Sequence, residues 1–459
     1  MADNTGATTY NDHNVYILGA GLGAEAGLPL IKDFLNRMRD AAAWLEGQNG
    51  REREQEAISR VLEFRLRAGA AAHRVPLNVE NIEELFSLAS ATGDQELAQA
   101  MPLAIAATLD YAGQTPKPPE VWQPFHIGVV NLPEWTRPVT WKDPMDYVTE
   151  EAKRGTRKGS WYICPPYDFY VGVMAGYFNK GGPVRRDTIV TFNYDLLLEE
   201  SCRNLGIPIS YGFQVSKDIS AQTLITSAND AKLQILKLHG SVNWVNFAEH
   251  LFSPQEEERR RQPLVPGQEE DWEGTKGWPG PRVFRDYSEL RNRGFSPLLL
   301  PPTWRKDSGT DQYSRMDFSS VWDAAVAALR TATNVIILGY SVPNTDQHFR
   351  YLIAAGLQEN ISLRKIFFVN PALASEPGAS VLKDRLFGPG GLFRPELQEQ
   401  GVIELLAVDT REFFTGPHGI YEEKPYRARI GRPLNPRSYT AADAPFRFSD
   451  RSTSLGSWQ

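Results

Sequence analysis

Four short segments of this chain combine residue types that do chemistry. The first is GAGLGA (19–24), a G-x-G-x-x-A pattern. Glycines at this spacing permit a tight turn and let backbone N–H groups approach a pyrophosphate at a helix N-terminus; the bland alternative is an ordinary glycine turn. The second is TFNYD (191–195), in which Asn193 and Asp195 offer an amide and a carboxylate to a ligand's hydroxyls. Asp195, just ahead of LLLEE, is equally well suited to cap a helix. The third is KLHGSVNW (237–244), where His239 precedes Gly240. Such a histidine is either a base titrating near neutrality or a buried structural ring. The fourth is GYSVPNTD (339–346), where Gly339 and Ser341 suit a phosphate or a ribose, or else a polar turn closed by Pro343.

Each segment follows a short apolar run. VYIL (15–18), DTIVTFN (187–193), LQILKLH (233–239) and NVIILG (334–339) read as strands, and KIFFVN (365–370) and VIELLAV (402–408) add two more. DLLLEESCRN after the second strand and VWDAAVAALRTA (321–332) read as helices. Strands alternating with helices predict a parallel α/β sheet. In such sheets ligands sit outside the carboxyl ends of the strands, so Asn193, His239 and both glycine loops should share one crevice. A dehydrogenase of the ordinary kind also needs an acidic residue at the end of a second strand about 20 positions after the glycines. Here that distance falls inside a predicted helix, which disfavours such an enzyme.

Between the first and second strands the texture is helical. Residues 31–46, 51–69 and 95–112 have helical composition; Ile58, Val61 and Leu62 share one face, and Ile82, Leu85, Phe86 and Ala89 repeat the spacing. Residues 113–142 are rich in Pro and Trp and read as irregular, with helices expected at about 143–154 and 167–178. Residues 253–294, with EEERRR and GWPGPR, read as a surface excursion that folding does not need. The expected organisation is a discontinuous α/β domain at 1–35 and 186–420, with the excursion at about 246–295. A mainly helical insertion fills 36–185, and 421–459 form a tail rich in Arg, Pro and Ser.

Composition narrows the classes. The 459 residues are 41% hydrophobic and 23% charged, with a net charge of −7, which argues against a chain-wide nucleic-acid surface. Two cysteines, Cys164 and Cys202, are too few for a disulfide scaffold or a four-cysteine zinc site. The N-terminus has no apolar core of a secretory signal, and no apolar run reaches the roughly 18 residues of a membrane span, so a soluble cytoplasmic protein is expected.

Taken together and in this order, the four motifs resemble the sirtuin-like (SIR2-like) NAD-binding family, in its bacterial branch of NAD+-hydrolysing anti-phage defence effectors. GAG with AGLP is similar to the family's opening loop, and TFNYD stands where protein deacylases have T-Q-N-x-D. KLHGS is similar to the loop bearing the catalytic histidine, and GYS stands where deacylases have G-T-S. FVNP (368–371) resembles the late strand end that meets the adenosine ribose; NIEELFSLA (81–89) and PPTWRK (301–306) resemble segments of the bacterial branch. The resemblance covers about 15–30, 187–245 and 296–415. Three departures stand out: no cysteine lies in 246–295 where deacylases carry a zinc ribbon, Gly23 replaces a common Ser, and 36–185 is a large insertion.

The resemblance implies a Rossmann-like fold without a zinc ribbon, and an NAD+ glycohydrolase that releases nicotinamide and ADP-ribose. It assigns Asn193, His239 and Asp195 to catalysis, and Gly19, Ala20, Gly21, Gly339, Ser341 and Asn370 to holding the dinucleotide. NAD+ is then substrate, and no metal or other cofactor is expected. Two other outcomes stay open: a protein deacylase or ADP-ribosyltransferase, or a non-catalytic binder of NAD or ADP-ribose that regulates a partner. Control is expected through a homo-oligomer or a complex with a sensor such as an ATPase or an Argonaute-like protein, with no direct contact to nucleic acid or membrane.

Overall fold

The computed structural model describes residues 13–114, 125–129, 160–164, 166–175, 187–213, 215, 224–245, 281–300, 319–343 and 347–415. Its centre is a parallel sheet of seven strands. In chain order these are β1 Asn14–Leu18, β2 Thr188–Thr191, β3 Ile209–Ser210, β4 Leu233–Lys237, β5 Asn334–Leu338, β6 Lys365–Val369 and β7 Ile403–Leu406. They lie in the order β7-β6-β5-β1-β2-β4-β3, with each neighbouring pair parallel. All five residues of β1 and of β5 are buried, as strands covered on both faces require. This is the parallel α/β sheet that the alternating pattern predicts, in the Rossmann-like form that the resemblance implies.

β1 stands between β5 and β2, with Tyr16 level with Ile336 on one side and Ile189 on the other. From β1 the chain builds outward first on the β2 side and later on the β5 side. The strand order therefore reverses at β1, which opens a crevice at its carboxyl end. At the opposite end buried polar groups fix the register. The Asn14 backbone N–H and Nδ2 donate to the two Asp187 carboxylate oxygens at 3.0 and 3.1 Å, and Asn334 Nδ2 donates to Asn14 Oδ1 at 3.0 Å. A one-residue slip of β1 would leave these groups unpaired in the core.

Four helices follow the opening loop: α1 Phe34–Leu45, α2 Glu52–Ala72, α3 Ile82–Thr92 and α4 Gln95–Gln114. Their apolar stripes meet in a second core that includes Met38, Ile58, Val61, Leu85 and Met101. α3 starts where the sequence places a cap, since Asn81 Oδ1 accepts from the Glu83 and Glu84 amides. This core runs on into Leu196, Val242 and Val245, beside the loops that follow β2 and β4, and into Phe284, Tyr287, Leu290 and Leu299. Arg51 pairs with Glu54 and, at 2.8 Å, with Asp110, while Tyr287 Oη donates to Glu54 Oε1 at 2.7 Å.

Three features differ from the sequence reading. Within the stretch expected as a helical insertion, Phe125–Val129 pairs antiparallel with Ser160–Cys164. Helix α5 Pro166–Met174 lies in the same stretch, yet Tyr167, Phe169, Tyr170 and Val173 pack in the core of the sheet. The expected surface excursion also ends early. Arg282–Val283 pairs with Trp244–Val245, and α7 Tyr287–Asn292 buries Tyr287 and Leu290. The cause is local: Asp286 Oδ1 accepts the Glu289 amide at 2.9 Å and starts a short helix whose apolar positions are diluted by charged neighbours. Residues 246–280, the helix expected at 143–154, PPTWRK and the tail lie outside the described residues. The sheet is completed by α6 Leu197–Leu205, α8 Ser319–Thr331, α9 Gln347–Leu357, α10 Gly378–Phe387 and α11 Thr410–Thr415.

Candidate functional site

The crevice is built from the loops after β1, β2, β4, β5 and β6. The β1 and β5 loops interlock through backbone. The Gly19 amide donates to the Leu338 carbonyl at 3.0 Å and the Gly21 amide to the Gly339 carbonyl at 2.9 Å. A Cβ on Gly19 would stand 2.6 Å from both the Gly339 oxygen and the Tyr340 Cα. Gly339 itself has φ of 64°, a left-handed conformation that costs a glycine nothing. These glycines are thus required by each other before any phosphate is considered. Two of the amides expected to cradle a pyrophosphate are already engaged; the Ala20 amide makes no such bond among the described residues, and Ala20 is half-exposed. Gly23 is buried against Leu28, whose Cδ1 would lie 3.0 Å from an added Cβ.

Asn193 joins the second loop to the first. Its Nδ2 donates to the Gly19 carbonyl at 3.0 Å, and its backbone N–H donates to Thr191 Oγ1 at 3.1 Å. Thr191 Oγ1 in turn donates to the Leu18 carbonyl at 3.1 Å. The carbonyl partner fixes the amide's orientation, leaving Oδ1 as an acceptor for a hydroxyl or a water. Asp195 does the capping job: its Oδ1 accepts the Leu197 amide at 3.1 Å at the start of α6. Burial pushes its carboxyl pKa up, against the opposing pull of Lys237 and the Leu197 amide.

His239 follows β4 and is 3% exposed. Its ring meets the edge of Phe192 at a 5.0 Å centroid separation and lies 6.3 Å from Tyr194. Phe192 stacks on Tyr340 of the GYS loop at 5.0 Å, so the histidine, the TFNYD loop and the GYS loop share one aromatic layer. Gly240 is needed next to it: at φ of 88°, a side chain would overlap the Leu298 carbonyl oxygen. Ser341 contributes its carbonyl to Arg385 Nη1 at 2.9 Å. Asn370 is more occupied than the sequence suggests: Oδ1 accepts the Ala372 amide at 3.0 Å, and Nδ2 donates to the Tyr340 carbonyl at 3.3 Å.

Sequence reasoning overlooked the brace behind the opening loop. Tyr167 Oη donates to the Leu22 carbonyl, and Tyr170 Oη to Glu25 Oε2 at 2.7 Å. Burial raises the Glu25 pKa, with Tyr170 and Arg411 opposing. The available signal was two tyrosines at i and i+3 on a helix that is apolar apart from Asp168. Among the described residues, no group of three or more His, Cys, Asp or Glu is placed to hold a metal ion, and no helix is long and apolar enough to cross a membrane.

Residues 187–262, which include both the TFNYD and KLHGS loops, match the family model of the SIR2-like domain. That segment is similar to the SIR2-like domain. A solved structure from work on the structural basis for the mechanism and regulation of Sir2 enzymes is 11% identical, covering 81% of this chain and 84% of that chain, at a TM-score of 0.30. An overlay that loose carries nothing about the site. No curated protein matches the sequence. Asn193, Asp195 and His239 lie within the matched span.

Proposed function

We propose that this SIR2-like chain is an NAD+ glycohydrolase. The observation that carries the reading is the bond from Asn193 Nδ2 to the Gly19 carbonyl. It ties the loop holding the polar side chains to the dinucleotide loop at the point where the strand order reverses. In the reaction, the bond between the ribose C1′ and the nicotinamide nitrogen breaks, and its electron pair neutralises the pyridinium. Nicotinamide leaves without needing a proton. A water oxygen bonds to C1′, and its proton passes to His239 or to solvent. Asn193 Oδ1 accepts from that water or from a ribose hydroxyl and so orients it. A base in the His239 role contributes about 10²–10⁴-fold. Asp195 acts through the loop, and Ala20, Gly21, Gly339, Ser341 and Asn370 shape the dinucleotide's bed.

Burial of His239 in ring contact with Phe192 and Tyr194 favours one second reading, a chain that holds NAD+ or ADP-ribose without turning it over. Incubation with NAD+ alone separates the two. Equimolar nicotinamide and ADP-ribose are expected without any acylated peptide or acceptor; binding without products would favour the second reading. The resemblance to defence effectors extends the proposal to NAD+ depletion under the control of an oligomer or a sensor partner.

A further inference from the structure

Lysine is out of place in β4. The strand lies between β2 and β3, and its neighbours Leu233, Ile235, Leu236 and Leu238 are fully buried. Lys237 is 1% exposed among them. An ammonium withdrawn from water so completely persists only when its donors are matched. Its three donors meet three acceptors: the Asp195 carbonyl, Glu199 Oε1 at 3.1 Å and the Tyr194 carbonyl at 3.4 Å. Two of these are backbone oxygens of the loop that carries Asn193. The third, Glu199, is 5% exposed and also accepts from Tyr211 Oη at 3.2 Å. The Tyr194 carbonyl further accepts the Val242 amide at 3.0 Å, and Tyr194 Oη donates to the Leu300 carbonyl at 2.9 Å. Leu300 returns its amide to the His239 carbonyl at 2.8 Å.

We propose that Lys237 is a positioning residue that locks the 193–195 loop to the His239 strand, so that Asn193 and His239 face the dinucleotide in a fixed relation. Glu199 holds the ammonium in place and neutralises it, while the catalytic contribution comes from the two carbonyl bonds. A lysine two residues before His239 reaches across to β2's loop because β2 and β4 are adjacent and in register, Thr191 level with Lys237. The lock rests on the glycohydrolase reading for its effect on rate, but not for its effect on loop order.

The test uses three full-length variants. Lys237→Met alone strands a buried carboxylate and should melt below the double variant; equal melting would count against the buried pair. The double variant Lys237→Met/Glu199→Gln removes both charges and keeps the volume, and Glu199→Gln alone keeps both carbonyl bonds. The readouts are melting temperature, amide hydrogen exchange at Asn193, Leu197 and Val242, ADP-ribose affinity and NAD+ turnover. In the double variant, exchange at those three amides should rise at least tenfold and turnover should fall at least thirtyfold, with ADP-ribose affinity within threefold of wild type. Glu199→Gln should keep turnover within fivefold. Unchanged exchange in a folded double variant overturns the lock, as does loosened exchange with full turnover. If the double variant fails to fold while Glu199→Gln folds and is fully active with wild-type exchange, Lys237 is a structural residue and the proposal falls. A wild-type chain that binds ADP-ribose but releases no nicotinamide counts against the glycohydrolase reading alone, and exchange then decides the lock by itself.

Discussion

At the scale of single residues, the site combines side chains with double duties. Asp195 caps α6 and sits beside Lys237, and its raised pKa states that the fold favours the protonated carboxyl. The stabilisation from that preference is complete below the value of an unfolded carboxyl, about 3.9, and is lost as pH rises through the folded value. Measured against Asp195→Asn, which keeps a cap and does not titrate, wild type should therefore gain melting temperature as pH falls from 7 toward 4. A difference between the two that is flat across this range would contradict the burial described. The placement of these residues was legible in the sequence: Asn193, Asp195, His239 and the glycines follow the strands read from apolar runs. Their present engagements were not. That Gly21 bonds to Gly339, or that Asn370 Nδ2 donates to the Tyr340 carbonyl, depends on loops more than 300 or about 30 residues apart.

At the scale of elements, the interlocked loops after β1 and β5 make a strong demand. Gly19→Ala would press a methyl against the Gly339 oxygen and the Tyr340 Cα. A loss of about 1–3 kcal/mol is expected on chemical denaturation, together with weakened ADP-ribose binding. Wild-type stability in this variant would mean that the two loops are not locked. The second core makes a separate demand on residues read from sequence as a surface excursion. Leu290 is fully buried between α7 and the helices α1–α4, so Leu290→Ala should cost about 2–5 kcal/mol by urea denaturation. An exposed leucine would cost almost nothing. The parallel strands were legible because runs such as VIIL (335–338) are uniformly apolar and are followed by glycine or asparagine. α7 was hidden because Arg285, Asp286, Glu289 and Arg291 surround its few apolar positions. The pairing of 125–129 with 160–164 was hidden because its partners are separated by a long intervening stretch.

At the scale of the whole molecule, helices α1–α4 dock through Leu196, Val242 and Leu299 directly against the loops that hold Asn193 and His239. We propose that this shared packing is the route by which an oligomer or partner would act on the site. The fold itself, a Rossmann-like α/β fold on a seven-stranded parallel sheet, is what the sequence reading implied. The reaction carried out in its crevice is the central claim. The most direct measurement of it is nicotinamide release from NAD+ by wild type, Asn193→Ala and His239→Ala, with melting temperature and ADP-ribose affinity taken on the same samples. Catalytic roles require turnover to fall by about 10²-fold or more in both variants. Melting temperature should stay within a few degrees of wild type, and His239→Ala should still bind ADP-ribose. Turnover at the wild-type rate in His239→Ala, or a loss that merely tracks the unfolded fraction in both variants, would contradict the account.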